Sequence, residues 1–166
     1  MLNKYFEEET YLKLKESDNI LYKTLELVTR VFEDKLDKSG IPYIVHLMKV
    51  YSGVNNLLEK VCALLHDVIE DTEISEVDLK DYGYSDEVID ILLILTKKKG
   101  EDYRVYIERI INSNNKHALN IKLADLNHNM DITRIKNPTL NDYERINKRY
   151  APSYEKIKNK LEEMEK

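Results

Sequence analysis

The sequence predicts an all-α protein, a compact single-domain helical bundle. Apolar residues recur at spacings of three and four along most of the 166-residue chain, the period of one helix face. The four glycines and three prolines fall between these stretches and punctuate them. No alternating run is bounded by Asn-Gly or Asp-Gly, so a sheet is not expected. Ordinary helix lengths then give about seven to nine helices.

The apolar sets follow in order. Leu21, Leu25, Val28 and Phe32 mark the first strong face, and Ile44, Leu47 and Val50 the second. Leu57, Leu58, Val61, Leu65 and Ile69 predict one helix that runs through His66. Val88, Ile91, Leu92 and Leu95 follow, then Tyr106, Ile107, Ile110 and Ile111, then Ala118, Ile121 and Ala124. Ser75, with Asp78 three on, and Ser85, followed by Asp86 and Glu87, read as helix starts. Asn141, with Glu144 three on, reads likewise. The amphipathic stretch Tyr150 to Met164 is the weakest element, able to pack on the domain, meet another subunit or fray.

Composition limits the function. Hydrophobic content of 42% and charged content of 34% describe a globular chain. The longest apolar runs, Val61 to Leu65 and Ile91 to Leu95, cannot span a bilayer. The stretch Met1 to Glu9 lacks the basic and apolar regions of a signal peptide. Cys62 is the single cysteine; it lies on an apolar stripe as inert packing and fits a reducing cytosol. A cytoplasmic protein without a membrane partner is expected. The net charge of −5 argues against a nucleic-acid polymer as partner, which needs clustered cations. The twelve tyrosines are scattered and form no stacking platform. Oligomeric state is not legible.

The chemistry lies in three distant stretches. His66-Asp67 is followed closely by Glu70-Asp71; Asp125 comes fifty-eight positions after Asp67, and His46 twenty before His66. On a continuous helix His66 and Glu70, like Asp67 and Asp71, share a face, and three acids in its last turn oppose the helix dipole. A bound cation would turn that repulsion into attraction. Asp125 interrupts the apolar run Ile121, Leu123, Ala124, Leu126, where an unpaired charge is expensive to bury. Lys122, Asp125 and Asn129 form a polar seam. Lys122 either pairs structurally with Asp125 or reaches a ligand.

These residues match a known set. His46…His66-Asp67…Asp125 resembles the metal ligands of the HD-domain phosphohydrolase superfamily. Lys38-Ser39-Gly40-Ile41-Pro42-Tyr43-Ile44-Val45-His46 is similar to the stretch before the first metal histidine in hydrolase domains of RelA/SpoT-type alarmone enzymes. Ala63 to Thr72 resembles their central motif, and Lys122 to Asp125 with His128-Asn129-Met130 their fourth. The similarity spans about residues 20–135.

The resemblance implies an all-α fold and one divalent cation held by His46, His66, Asp67 and Asp125, with Mn²⁺ preferred and Fe²⁺ or Zn²⁺ compatible with the donors. It implies water activation by Glu70 and Asp71 and removal of pyrophosphate from the 3′ position of guanosine tetra- or pentaphosphate. A nucleoside-5′-monophosphate phosphatase and a non-catalytic nucleotide-binding module are the alternatives. Lys38, Tyr43, Lys122 and Asn129 are candidate substrate contacts. Tyr43 is equally a core residue, and Lys122 and Asn129 equally supports of Asp125. Lys97-Lys98-Lys99 reads as a solvated helix end, with reach to a phosphate ligand as the alternative, His117 as exposed, and His128 as a support of the site or a helix-end residue. Five positions depart from the alarmone-hydrolase pattern: Asp37 where a basic residue lies against the base, Leu47, Leu126, and Asp131-Ile132. They bear on base recognition rather than on metal ligation.

Overall fold

The side-chain patterning gives helices joined by short turns, capped as polar residues dictate. The computed structural model describes residues 2–166; Met1, the first residue of the domain and of the N-terminal stretch read above, lies outside the described residues. After a 3₁₀ turn, Leu2–Tyr5, come α1 Glu8–Lys15, α2 Ile20–Val31, α3 Ile44–Ser52, α4 Leu57–Leu65, α5 Val68–Asp71, α6 Glu76–Asp81 and α7 Asp86–Leu95. Then follow α8 Tyr103–Asn112, α9 Lys116–Met130, a 3₁₀ turn Ile132–Arg134, α10 Leu140–Arg145, a π-helical turn Ile146–Tyr150, and α11 Ala151–Met164. No strand occurs among the described residues; Leu36 and Pro42 form one isolated bridge. The all-α class is therefore correct.

Two interruptions raise the helix number above expectation. The helix through His66 breaks into α4 and α5, and the C-terminal one is divided by the π turn. Read through both breaks, the eleven α segments among the described residues reduce to nine. Asn56, Ser85, Asp102 and Asn115 cap α4, α7, α8 and α9 by accepting backbone N–H bonds. Ser75 and Asp78 form the expected reciprocal box on α6. The start placed at Asn141 lies earlier: Thr139 is the cap and Asp142 its reciprocal partner. Each cap contributes about 1 kcal/mol.

The core forms around α4, which packs against α2, α3, α7 and α9. Val61, Leu64 and Leu65 of α4 meet Leu27, Leu47, Val50, Ile91 and Ile121, all buried. On another face of α9, Leu119 and Leu126 pack with Tyr106, Ile107 and Ile110 of α8 and with Ile157 and Leu161 of α11. The C-terminal stretch thus docks on α9 rather than fraying. Because α9 buries apolar residues on two faces, it is the element against which the site is assembled. Its approach to α3 is close: a Cβ on Gly53 would sit 2.7 Å from the Ala124 Cβ. Glycine at position 53 therefore lets the helix of His46 lie against the helix of Asp125. Cys62 is fully buried, and burial pushes its thiol pKa up to about 12, as inert packing requires.

Candidate metal centre

The break between α4 and α5 is made by its own histidine. His66 Nδ1 lies 2.7 Å from the Ala63 carbonyl oxygen, the acceptor that a continuing helix would offer to the Asp67 amide. The chain turns at His66 and Asp67, and Glu70 and Asp71 enter the short α5. The acids therefore do not crowd the last turn of one helix, as the continuous apolar pattern implied; they stand beyond a break that reorients them.

His46, His66, Asp67 and Asp125 converge. His46 Nε2 and His66 Nε2 are 3.4 Å apart. Asp67 Oδ2 is 3.1 Å from His66 Nε2 and 3.6 Å from His46 Nε2. Asp125 Oδ1 is 3.3 Å from His46 Nε2 and 3.8 Å from His66 Nε2. Ligand atoms of His46, His66 and Asp125 all lie within 4.8 Å of one another, and all three residues are buried. This group could hold a metal ion.

The outer contacts fit that use. A carbonyl only accepts, so His66 Nδ1 carries the hydrogen bonded to Ala63 and a neutral ring presents its Nε2 lone pair to the centre. His46 Nδ1 is 2.7 Å from His128 Nδ1, which likewise leaves Nε2 for the centre. Asp125 accepts from Lys122 Nζ at 2.7 Å and Asn129 Nδ2 at 2.6 Å. Tyr43 Oη donates to Asp67 Oδ2 at 2.5 Å. Such partners orient ligands and fix tautomers. Lys122 and Asn129 thus bond Asp125, and His128 lies against His46. His117 departs from expectation: it is half-buried, with Nδ1 3.0 Å from Glu59 Oε1 of the buried carboxylate.

Electrostatics agree with the geometry. Burial alone would lower the His46 pKa; hydrogen bonds and charges of Asp125 and Asp67 override it and raise it to about 9. The His66 pKa is also raised, since the two carboxylates outweigh its burial. Asp125 and Asp67 are held well below the usual carboxylate range, burial being overcome by Lys122 and the histidines. The His128 pKa falls to about 4 through burial and the adjacent His46. A cation must displace the His46 proton, so binding of Mn²⁺ at about pH 7.5 is expected to release protons. Calorimetry in buffers of different ionisation enthalpy measures this; heats independent of the buffer would contradict it. The sign for stability follows from the raised pKa. The His46 contribution to the protein prepared without metal is fully present below pH 6.5 and lost as pH rises through about 9.

A cleft of about 500 Å³ opens over the centre and is lined by His46, Asp67, Asp125, Tyr43, Lys122 and Asn129, among others. Lys38, Glu70 and Asp71 also line it, so all but one of the sequence candidates meet there; the exception, His66, lies beneath, against the other donors. Lys97 lines the cleft too, rather than merely ending a solvated helix, and its backbone N–H donates to Glu70 Oε2 at 2.9 Å. Burial raises the Glu70 pKa. Asp71 is instead ion-paired with Lys35 at 2.5 Å, and the Lys35 ammonium lies 4.1 Å from the Tyr43 ring centroid.

Lys35, Arg134, Arg145, Tyr103, Tyr106 and Tyr150 line the cleft without having been singled out from sequence. Asp37 bonds Arg134 Nη1 at 2.6 Å and accepts the amides of Ser39 and Ile41. The acid that replaces an expected base therefore brings an arginine to the same cleft.

No protein-family model matches the chain. The chain is 30% identical over 172 residues to a GTP pyrophosphokinase of Myxococcus xanthus. It is 35% identical over 155 residues to a guanosine-3′,5′-bis(diphosphate) 3′-pyrophosphohydrolase of Haemophilus influenzae. These matches take in 88% and 80% of this chain but 22% of each relative, so the chain spans about a fifth of the length of the curated relatives it matches. A solved metazoan ortholog of SpoT, described as hydrolysing ppGpp and acting in starvation responses, shares the fold. Its TM-score is 0.71 at 23% identity, over 89% of this chain and 94% of that one. The resemblance to RelA/SpoT-type hydrolase domains read from three motifs is borne out. No helix among the described residues is long and apolar enough to cross a membrane.

Proposed function

We propose that this chain is a metal-dependent phosphohydrolase of a small nucleotide, a guanosine 3′-diphosphate 5′-di- or triphosphate 3′-pyrophosphohydrolase. One observation carries it: His46, His66, Asp67 and Asp125 turn their donor atoms to one point beneath a cleft that also holds cations. Similarity to the Haemophilus pyrophosphohydrolase supports the substrate class. A single cysteine, buried, suits a cytosolic setting.

His46, His66, Asp67 and Asp125 hold one divalent cation, Mn²⁺ being the ion the resemblance favours and Fe²⁺ or Zn²⁺ also compatible with the mixed nitrogen and oxygen donors. When bound, it supplies charge for phosphate oxygens and acidifies nearby water. Glu70 is the general base. It is a cleft-lining acid whose pKa burial raises, and its carboxylate accepts the Lys97 amide. Asp71, held by Lys35, positions rather than accepts the proton. Tyr43, Asn129 and Lys122 keep Asp67 and Asp125 aimed, and the exposed face of Lys38 meets phosphate. Water attacks the phosphorus on the 3′ oxygen, the bond from phosphorus to that oxygen breaks, and the sugar oxygen takes up a proton. Glu70 receives the proton of the attacking water, and pyrophosphate leaves.

A Mn²⁺-supplemented screen over nucleotides bearing 3′- and 5′-phosphates, reading phosphate and pyrophosphate separately, tests this. Pyrophosphate from the 3′-diphosphate is the expected product. Phosphate from nucleoside 5′-monophosphates would favour the phosphatase alternative, and nucleotide binding without turnover the non-catalytic one.

A further inference from the structure

A second groove lies beside the catalytic cleft and shares a wall with it. It spans about 920 Å³ between the first turn of α8, the π turn and the start of α11. Lys97 and Tyr103 line both spaces, whereas Arg104, Lys148, Arg149 and Lys156 line the groove and not the cleft. The two acids of the groove are already engaged. Glu101 pairs with Arg109 Nε at 2.9 Å, and Asp102 accepts the Arg104 and Val105 amides as the cap of α8. Lys148 and Lys156 pair with Glu144 and Glu108. Lys97, Arg104 and Arg149 form no ion pair among the described residues. The Arg149 guanidinium instead lies 5.9 Å from the Tyr103 ring centroid. Three like charges brought from the loop before α8, from α8 and from the π turn repel one another. On a chain of net charge −5 they make a local reversal of sign. The groove has the size that takes a small ligand, and arginine forks match phosphate oxygens in geometry. Its shared wall also reaches the chemistry, since the Lys97 backbone N–H donates to Glu70 Oε2 at 2.9 Å.

We infer that this groove is a second ligand site, outside the catalytic cleft, for a small oligophosphate anion held by Lys97, Arg104 and Arg149. The occupant is a molecule separate from the one at the histidine–aspartate centre. Held there, it fixes the Lys97 segment and with it the donor on Glu70. That tie takes its use from the hydrolase reading, in which Glu70 is the base; binding itself requires no turnover.

The test follows the amide resonances of the full chain, with EDTA present, as inorganic pyrophosphate is added. Saturable shifts are expected at Arg104, Val105 and Arg149, and at Lys97 and Glu70 in the same titration. Sodium chloride at equal ionic strength should not reproduce them. Arg104→Ala and Arg149→Ala should each weaken the fitted affinity by about three- to tenfold, the order of one exposed charge-assisted contact. Lys38→Ala, in the cleft, should leave it unchanged. Both arginines are exposed, and the unshifted remainder of each spectrum reports that the variant is folded. Guanosine 5′-diphosphate separates the sources of such a group: affinity equal to that of pyrophosphate admits the phosphate tail of a nucleotide, and loss of the shifts restricts the groove to the free anion. Equal shifts with chloride, or an affinity indifferent to both arginine substitutions, overturn the site. A loss in Lys38→Ala as large as in Arg104→Ala places the anion in the catalytic cleft and overturns a separate groove. Shifts at Arg104 and Arg149 with none at Lys97 overturn the tie to Glu70. Mn²⁺-dependent turnover is read apart. Turnover by a protein without pyrophosphate shifts would sink the site and leave the hydrolase reading intact; saturable shifts without turnover would do the reverse.

Discussion

Replacing His66 by alanine is expected to abolish metal binding and turnover together. His66 is fixed by its Nδ1–H bond to Ala63, and its Nε2 lies 3.4 Å from His46 Nε2 and 3.1 Å from Asp67. Its loss removes one of two nitrogen donors and leaves buried Asp125 and partly buried Asp67 with half their imidazole partners. Loss of a supporting partner alone typically weakens a metal site by about 10–100-fold, and loss of a ligand costs more. Thermal unfolding separates this from collapse. The variant should still unfold cooperatively, and added Mn²⁺ should no longer raise its melting temperature. Retained Mn²⁺ stabilisation would show that His66 is not a ligand.

The second large effect falls on Glu70. Glu70→Gln keeps the size and an acceptor for the Lys97 amide but cannot take a proton. Mn²⁺ affinity should be unchanged while kcat drops by about 10²–10⁴-fold, the range of general-base catalysis. The acid limb of the kcat–pH profile, set by the raised Glu70 pKa, should vanish with it. Asp71→Asn should cost less, since Lys35 already holds that carboxylate. If both variants stay fully active, water activation lies elsewhere. If Asp71→Asn alone is inactive, the two roles are reversed.

Much of this was legible in one sequence because it is periodic or short-range. Apolar spacing gave the helices, and Ser75 with Asp78 gave a start that the structure repeats. The donor types were readable because an imidazole beside acids, and an aspartate within an apolar run, need a reason. The break after Leu65 was hidden, since Leu58, Val61, Leu65 and Ile69 keep helical spacing across it; a side-chain bond to a carbonyl decides it. The π turn at Ile146–Tyr150 is hidden in the same way. The pairs Lys35–Asp71, His46–His128 and Asp37–Arg134 join residues 36, 82 and 97 positions apart. Nothing local announces such partners, so Lys35 and Arg134 went unread although they line the cleft.

Pulsed electron paramagnetic resonance of the Mn²⁺-loaded protein tests most directly whether four side chains close on one ion. One Mn²⁺ per chain is expected, coupled to two imidazole nitrogens, with one coupling lost in any residual Mn²⁺ bound by His46→Ala or His66→Ala. A bound Mn²⁺ with no nitrogen coupling, or with couplings indifferent to both substitutions, would contradict the account.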